Sequence, residues 1–443
     1  MKRPAISKLD RQSNRRARDG REEHGVTMVL VASAMVAVMA MAALSIDVVT
    51  LYLANAETQR SADTAALAAA RILSISGMTG DPTDNTNNWT AACTMATQVA
   101  QSVANQNIVG GAAPSTVTVT FPNDPSGNCS DVGVATVFGL NPIVQVQVQR
   151  SNIPTFFARI WGHRSANISA TAAAEAFNAS NSAAYAASVV GVQPRCVKPW
   201  VVGNGSPNVY INTTDGAIKN TGIQSGGVGT GVIGSTILLQ PPDPPGCSAT
   251  GSCMLMEGKT VDLNRYIAAS VQGLPVAVAS GATGDAWQEA IGGCDQTTVY
   301  ACGTVGGATA DLTVNLGATN GDTYIAGQAL TNSGDTINTG VYPYQIRAGF
   351  ANPLVSSGVV NDDDVITSSN SIVTIPLMDS AVNLAGVAQP PVTIVGYLQV
   401  FITSVNPNGN MNATVLNVAG CAPSPPTSVT GSSPVPIRLI NYP

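Results

Sequence analysis

A chain of 443 residues, 44% hydrophobic and only 10% charged, is too long for one small domain and too rich in core-forming side chains to be intrinsically disordered. Its net charge of −6 is unevenly spread: residues 1–24 carry eight basic groups (Lys2, Arg3, Lys8, Arg11, Arg15, Arg16, Arg18, Arg21) and four acids, and the other 419 residues carry 12 basic and 22 acidic groups. An acidic bulk without Lys/Arg clusters excludes nucleic-acid binding as a main role, and the Gly-, Ala-, Ser-, Thr-, Asn- and Val-rich composition suits an exported, β-rich protein.

After the basic tail comes Val26 to Ile46, 21 residues without a charge and with only Thr27, Ser33 and Ser45 polar. At 1.5 Å per residue this is about 31 Å of helix, against roughly 30 Å of bilayer hydrocarbon. Basic residues on its N-terminal side predict a cytoplasmic N-terminus, a single pass and an outward-facing bulk. The expected organisation is a tail over 1–24, a transmembrane helix over 25–46 and everything else outside. Cleavage as a signal peptide near Met39–Ala43 is the competing reading, although signal cores run only about 7–15 residues. Prepilin-type cleavage after Gly25 is not expected, because Leu30 stands where such leaders usually place Glu.

Helical pattern continues past Ile46 through Asp47, Val48–Leu53 and the Ala-rich run to Ala70. Asn55, Gln59 and Asp63 recur every four residues and mark one polar face. One helix from Val26 to about Ser74 is predicted, its outer part (47–76) a stalk with a small-residue face. Such a face permits close helix approach, leaving three alternatives: self-association, docking on a partner, or packing on the chain's own outer domain. Asp47, Tyr52, Asn55 and Asp63 are the stalk's candidate contact residues. Asp47 reads either as an interface marker or as a buried acid pairing with a partner helix.

The order of features from Gly25 to Arg71 resembles the N-terminal signature of the TadE/TadG-like family. A Gly precedes the apolar helix, an Asp closes it (Ile46-Asp47-Val48), Leu51-Tyr52-Leu53 follows, and Ser61-Ala62-Asp63-Thr64-Ala65-Ala66-Leu67-Ala68-Ala69-Ala70 ends the block. Ile153-Pro154-Thr155-Phe156-Phe157-Ala158-Arg159-Ile160-Trp161-Gly162 with Ile168–Ala174 resembles the next block more loosely. The resemblance implies a non-enzymatic role in assembling or anchoring Flp-type (tight adherence) pili. It also implies the bacterial inner membrane as location, a periplasmic or extracellular bulk, and other pilus-assembly or envelope proteins as partners. Longer relatives carry a metal-binding Asp-x-Ser-x-Ser motif that is absent here, so metal-dependent adhesion is not implied.

Beyond the stalk, Asp81–Asn88 is a polar turn cluster and Trp89–Asn107 has helical spacing. Thr116–Phe121 and Ile143–Gln149 alternate as half-buried strands. Phe156–Trp161 reads as a short helix and Ala166–Ala176 as a strand, which together predict a small α+β domain over 77–180. Ala183–Gly191 reads as a linker. Residues 190–443, with short apolar runs such as Ile237–Leu239, Ile372–Pro376 and Val392–Ile402 between Gly, Asn, Thr and Pro, predict a larger mostly-β domain. Gln240–Gly246 and Ala422–Thr427 are Pro-rich exposed loops. Trp200, Trp287 and Phe350 read as core or edge aromatics.

All eight cysteines (Cys93, Cys129, Cys196, Cys247, Cys253, Cys294, Cys302, Cys421) follow the apolar stretch, and an even number on the outer side of a membrane predicts disulfides. Eight allow 105 pairings. Proximity favours Cys93–Cys129, Cys247–Cys253 and Cys294–Cys302, leaving Cys196–Cys421. Catalysis has little to work with: His24 and His163 are the only histidines, and no nucleophile elbow, zincin motif or phosphate loop occurs. Asp362-Asp363-Asp364 is the densest acid run and lacks EF-hand spacing, so a solvated loop is expected. No cofactor or metal is expected. The reading is a single-pass envelope protein contacting lipid and other proteins, with a secreted binding module or adhesin after signal cleavage as the alternative and an exported hydrolase third.

Overall fold

A computed structural model describes residues 10–80, 87–122, 124, 127, 129, 142–178, 191–204, 210–213, 216, 218–219, 222–224, 231–239, 266–268, 286–294, 312–313, 320–379, 391–392, 394–421, 428–431 and 433–442. One helix, α1 (Asp10–Ile75), accounts for 66 residues. It starts well before Val26, because no Pro interrupts Asp10–Ile75 and the charged tail contains nothing stronger than Gly20 and Gly25 to stop it. It ends where Gly77 turns the chain at φ +78. A Cβ there would sit 2.3 Å from Ile233 Cγ2 and 2.9 Å from the Leu416 carbonyl oxygen, so both the backbone angle and the close approach require glycine.

α2 (Asn87–Gln106), β1 (Thr116–Thr120), β2 (Ile143–Pro154) and β3 (Ser165–Ala176) follow. They match the expected elements, with β2 running five residues further than its alternating core. In β2, Val144, Val146 and Val148 are buried and Gln145, Gln147 and Gln149 are not, as strand alternation demands. These three strands form a four-stranded sheet with Ile437–Ile440 on the far side of β3. That last pairing is antiparallel, with Ile437 opposite Ala176 and Arg438 opposite Glu175.

The chain divides into two compact units. The first is Met1–Arg60, Asn107–Thr116 and Val148–Ala170; the second is Ser61–Gln106, Val117–Gln147 and Thr171–Pro443. Within the first, the turn 107–116 is closed by the Val109–Ala112 bridge, and the Gly110 amide donates to Glu57 of α1 at 2.8 Å. Ser115 holds the turn to β2: its amide donates to the Gln149 carbonyl, and its hydroxyl accepts from the Ser151 amide. Val109, Ile153 and Ala54 are buried there.

The second unit is built on a six-stranded sheet in the order Thr236–Leu239, Met411–Gly420, Ile394–Val405, Ile372–Met378, Trp200–Gly203, Tyr266–Ala268. Its pairings are antiparallel except that Ile372–Met378 runs parallel to Trp200–Gly203. Ile394–Ile402 is buried residue after residue, which marks a strand covered on both faces; the helix Asn320–Thr331 packs on it. The mostly-β expectation for this region is met. Trp200 is a core residue, but Phe350 is 82% exposed, which corrects its assignment to the core or an edge; it sits in a tight turn where Asn352 donates to Gly349. The side chain of Trp287 lies outside the described residues.

Cys93–Cys129 is bonded as proximity suggested. Cys196–Cys294 is bonded too, which corrects both Cys294–Cys302 and Cys196–Cys421. The fold brings the ends together: just beyond Cys196, the Lys198 ammonium donates to the Gly293 carbonyl at 2.6 Å. Cys421 is also disulfide-bonded. Cys247, Cys253 and Cys302 lie outside the described residues, as do Gln240–Gly246, Ala422–Thr427 and most of Asp81–Asn88 and Ala183–Gly191.

Candidate functional site

α1 changes character along its length. Every large apolar residue from Val26 to Ile46 is solvent-exposed within the chain. The most apolar 18-residue window has a mean hydropathy of 2.4 and none of it is buried. By length and composition this is a candidate membrane span, and it is not a core helix of the described chain. Further along, Ala62, Ala65, Ala66, Ala69, Ala70 and Leu73 are completely buried. Of the three alternatives for the small-residue face, the structure has it packed inside the chain. Ser61 donates to the Ala104 carbonyl of α2, and α2 buries its own small stripe of Ala92, Ala96, Ala100 and Ala104.

The C-terminal end of α1 is stitched into the second unit by a buried amide network. Asn417, in the middle of an apolar strand, donates from one Nδ2 to the Ser74 carbonyl at 2.7 Å and to Thr79 Oγ1 at 2.8 Å. Asn178 donates to the Val418 carbonyl at 2.9 Å, and the Ser74 hydroxyl donates to the Val435 carbonyl at 2.8 Å. Buried polar groups satisfied in this way fix a single register.

Between the apolar and buried stretches stands Asp47. It is buried, and its carboxylate accepts from three consecutive backbone amides: Phe156 at 2.7 Å, Phe157 at 2.9 Å and Ala158 at 2.6 Å. These amides open a 3₁₀ turn, Ala158–Trp161, whose own N-cap residue, Phe157, supplies no side-chain cap. Asp47 does so from another element, an anion placed against unpaired amides. Burial pushes the Asp47 carboxyl up, and the three donors outweigh it, holding the group below the ordinary carboxylate value. Its partner is therefore neither solvent nor a second helix but this chain's own backbone.

The loop so held is closed on itself. Thr155 donates through its hydroxyl to the His163 carbonyl and through its amide to the Arg164 carbonyl, and Gly162 ends the turn at φ +90. The loop leaves Phe156 57%, Ile160 74% and Trp161 60% exposed. On the adjoining part of α1, Val48, Val49, Leu53 and Tyr52 (73%) are exposed as well. Arg159, His163 and Arg164 are also on the surface.

Among the remaining expected residues, Asn55 is exposed and Asp63 half-buried. The acid run is committed to turn geometry: Asp363 pairs with Arg347 at 2.8 Å and Asp364 accepts from the Asn361 amide at 2.6 Å. Sequence reasoning did not single out the exposed side chains of the Phe156–Trp161 turn as a surface; the available signal was three large apolar residues in a segment with no structural need for them. Nor did it find Asn417, whose polarity inside Thr414-Val415-Leu416-Asn417-Val418 was the clue.

Residues 25–71, a stretch lying wholly within α1, match the model of a family described as "Putative Flp pilus-assembly TadE/G-like". Neither a curated protein nor a solved structure matches the chain.

Proposed function

We propose that this chain is a non-enzymatic cell-envelope protein that serves assembly or anchoring of Flp-type pili. Its Val26–Ile46 segment crosses the inner membrane once, with the basic tail in the cytoplasm and the disulfide-bonded bulk outside. The observation that carries this reading is the division of α1. The stretch Val26–Ile46 is apolar and left uncovered by the described residues, the far end is locked into a β core by Asn417 and Ser74, and the family match runs across the change. A helix apolar on every face and exposed needs lipid around it. Disulfides at Cys93–Cys129 and Cys196–Cys294 favour an oxidising compartment. The role is then exerted through protein contacts made outside the membrane.

The test has two arms. The full chain should stay in the membrane pellet under alkaline carbonate and keep its N-terminus, and protease added to spheroplasts should remove the bulk while sparing the tail. A mature N-terminus near residues 44–47 would instead favour a secreted module. Deleting the gene should abolish surface Flp-type pili, and unchanged piliation would sink the assembly role while leaving the anchor intact.

A further inference from the structure

Resting on the reading of Val26–Ile46 as a membrane span, we propose that the loop Thr155–Arg164, together with Val48, Val49, Tyr52 and Leu53 of α1, forms a second membrane contact. It is a collar seated in the outer headgroup region, with phospholipid as its occupant. The level is set by Asp47. It is the residue immediately after the uncharged stretch, so it lies at the hydrocarbon edge, and its carboxylate oxygens hold the amides of Phe156, Phe157 and Ala158 within 2.9 Å, which puts the loop beside that edge. Tyr52 and Leu53 follow about 8–9 Å further along the helix axis. That distance is comparable to the roughly 5–8 Å of headgroup region on each side of the hydrocarbon.

The chemistry suits that layer. Aromatic side chains favour the membrane–water interface, and here Tyr52, Phe156 and Trp161 are exposed beside Ile160, Val48 and Val49. Charge points the same way. The chain beyond the tail is acidic, yet from Asn152 to Ala174 its only charged residues are Arg159 and Arg164, with His163 between them. Both arginines are exposed, and such groups are drawn to lipid phosphates. The amides of Thr155, Phe156, Phe157, Ala158, Ile160, Gly162 and His163 all donate within the loop or to Asp47, which lowers the cost of entering a poorly hydrated layer.

The experiment uses the full chain reconstituted into vesicles of phosphatidylcholine and phosphatidylglycerol that carry a spin-label quencher either near the headgroup or deep in the acyl chains. Subtracting the emission of W161F isolates Trp161, and a second variant, Leu44→Trp, reports on the span. The expected result is a blue-shifted Trp161 emission lost to the shallow label and largely spared by the deep one, with Leu44→Trp quenched by both. Replacing phosphatidylglycerol by phosphatidylcholine, or making R159A/R164A, should reduce the shallow quenching. If Leu44→Trp is quenched and Trp161 is untouched by either label, the collar is wrong, the span stands, and the exposed surface belongs to a protein partner. If neither is quenched, the span itself fails and the collar with it.

Discussion

The carboxylate of Asp47 receives the amide of Ala158, 111 residues later in the chain, at 2.6 Å. An acid at the end of the apolar stretch of α1 thereby also starts a distant 3₁₀ turn, and the two amides before Ala158 share the same carboxylate. Removing it as Asp47→Ala should leave three amides without an acceptor. Hydrogen–deuterium exchange at Phe156–Ala158 should accelerate severalfold, with α2 unchanged. Asp47→Asn keeps one acceptor oxygen and should fall between. Wild-type exchange in Asp47→Ala would show that the clamp does not hold the loop.

The same carboxylate gives an acid limit. Its folded-state value lies below the ordinary one, so the ionised form is favoured by folding. The clamp's contribution is complete above the unfolded value of about 3.9 and is lost as pH falls through the lowered folded value. Trp161 emission, isolated by subtraction of W161F, should be flat from about pH 5 to 7 and shift only below about pH 4. A midpoint near neutrality would mean another group governs the loop.

Glu175 and Arg438 face each other across the pairing of β3 with Ile437–Ile440 and form an ion pair in which Glu175 is fully buried. The guanidinium also lies over Phe177, 5.4 Å from the ring centre. Arg438→Ala should cost about 3 kcal/mol in denaturant unfolding, because it strands a buried carboxylate. The double variant Glu175→Leu/Arg438→Met should recover most of that loss. If the double variant is as unstable as the single one, packing rather than charge sets the cost.

Lys198 is buried and its ammonium is pushed down to about 7 by desolvation. The unfolded chain binds this proton more tightly, so between about pH 7 and pH 9.5 stability should rise with pH, by on the order of 2–4 kcal/mol. Lys198→Met should remove the rise and be the more stable protein at pH 6. Parallel pH profiles for the two would refute the assignment.

Gly77 leaves no room for a side chain against Ile233 and Leu416. Gly77→Ala should lower stability by about 2–4 kcal/mol through strain and clash together, visible as a lower denaturation midpoint. An unchanged midpoint would mean that the turn relaxes freely.

Much of the region up to Ala176 was legible because its signals are local. The uncharged stretch, the Ala run and the alternation of Ile143–Gln149 each imply an element without reference to anything distant, and α1, α2, β2 and β3 lie there. In the large sheet, Ile237–Leu239 and Ile372–Pro376 became strands, yet their neighbours could not be read. Pairing such as Leu377 with Val202 depends on contacts far apart in sequence that no local pattern encodes. Proximity served for Cys93–Cys129 and misled for Cys294, which is bonded to Cys196 where Lys198 and Gly293 meet, not to Cys302. Asp47 stood out from sequence as an acid out of place, but its acceptor role was invisible because backbone amides carry no sequence signature.

Arg438 completes its pair with Glu175 263 residues after that strand has been made. At about 5–20 residues per second, a ribosome needs on the order of 10–50 s to cover that interval. Throughout it, the outer edge of β3 offers unpaired peptide groups to any passing strand. That edge stays open to mispairing until synthesis passes residue 440, so slowed translation of the intervening stretch should raise the yield of aggregates rather than of shortened product.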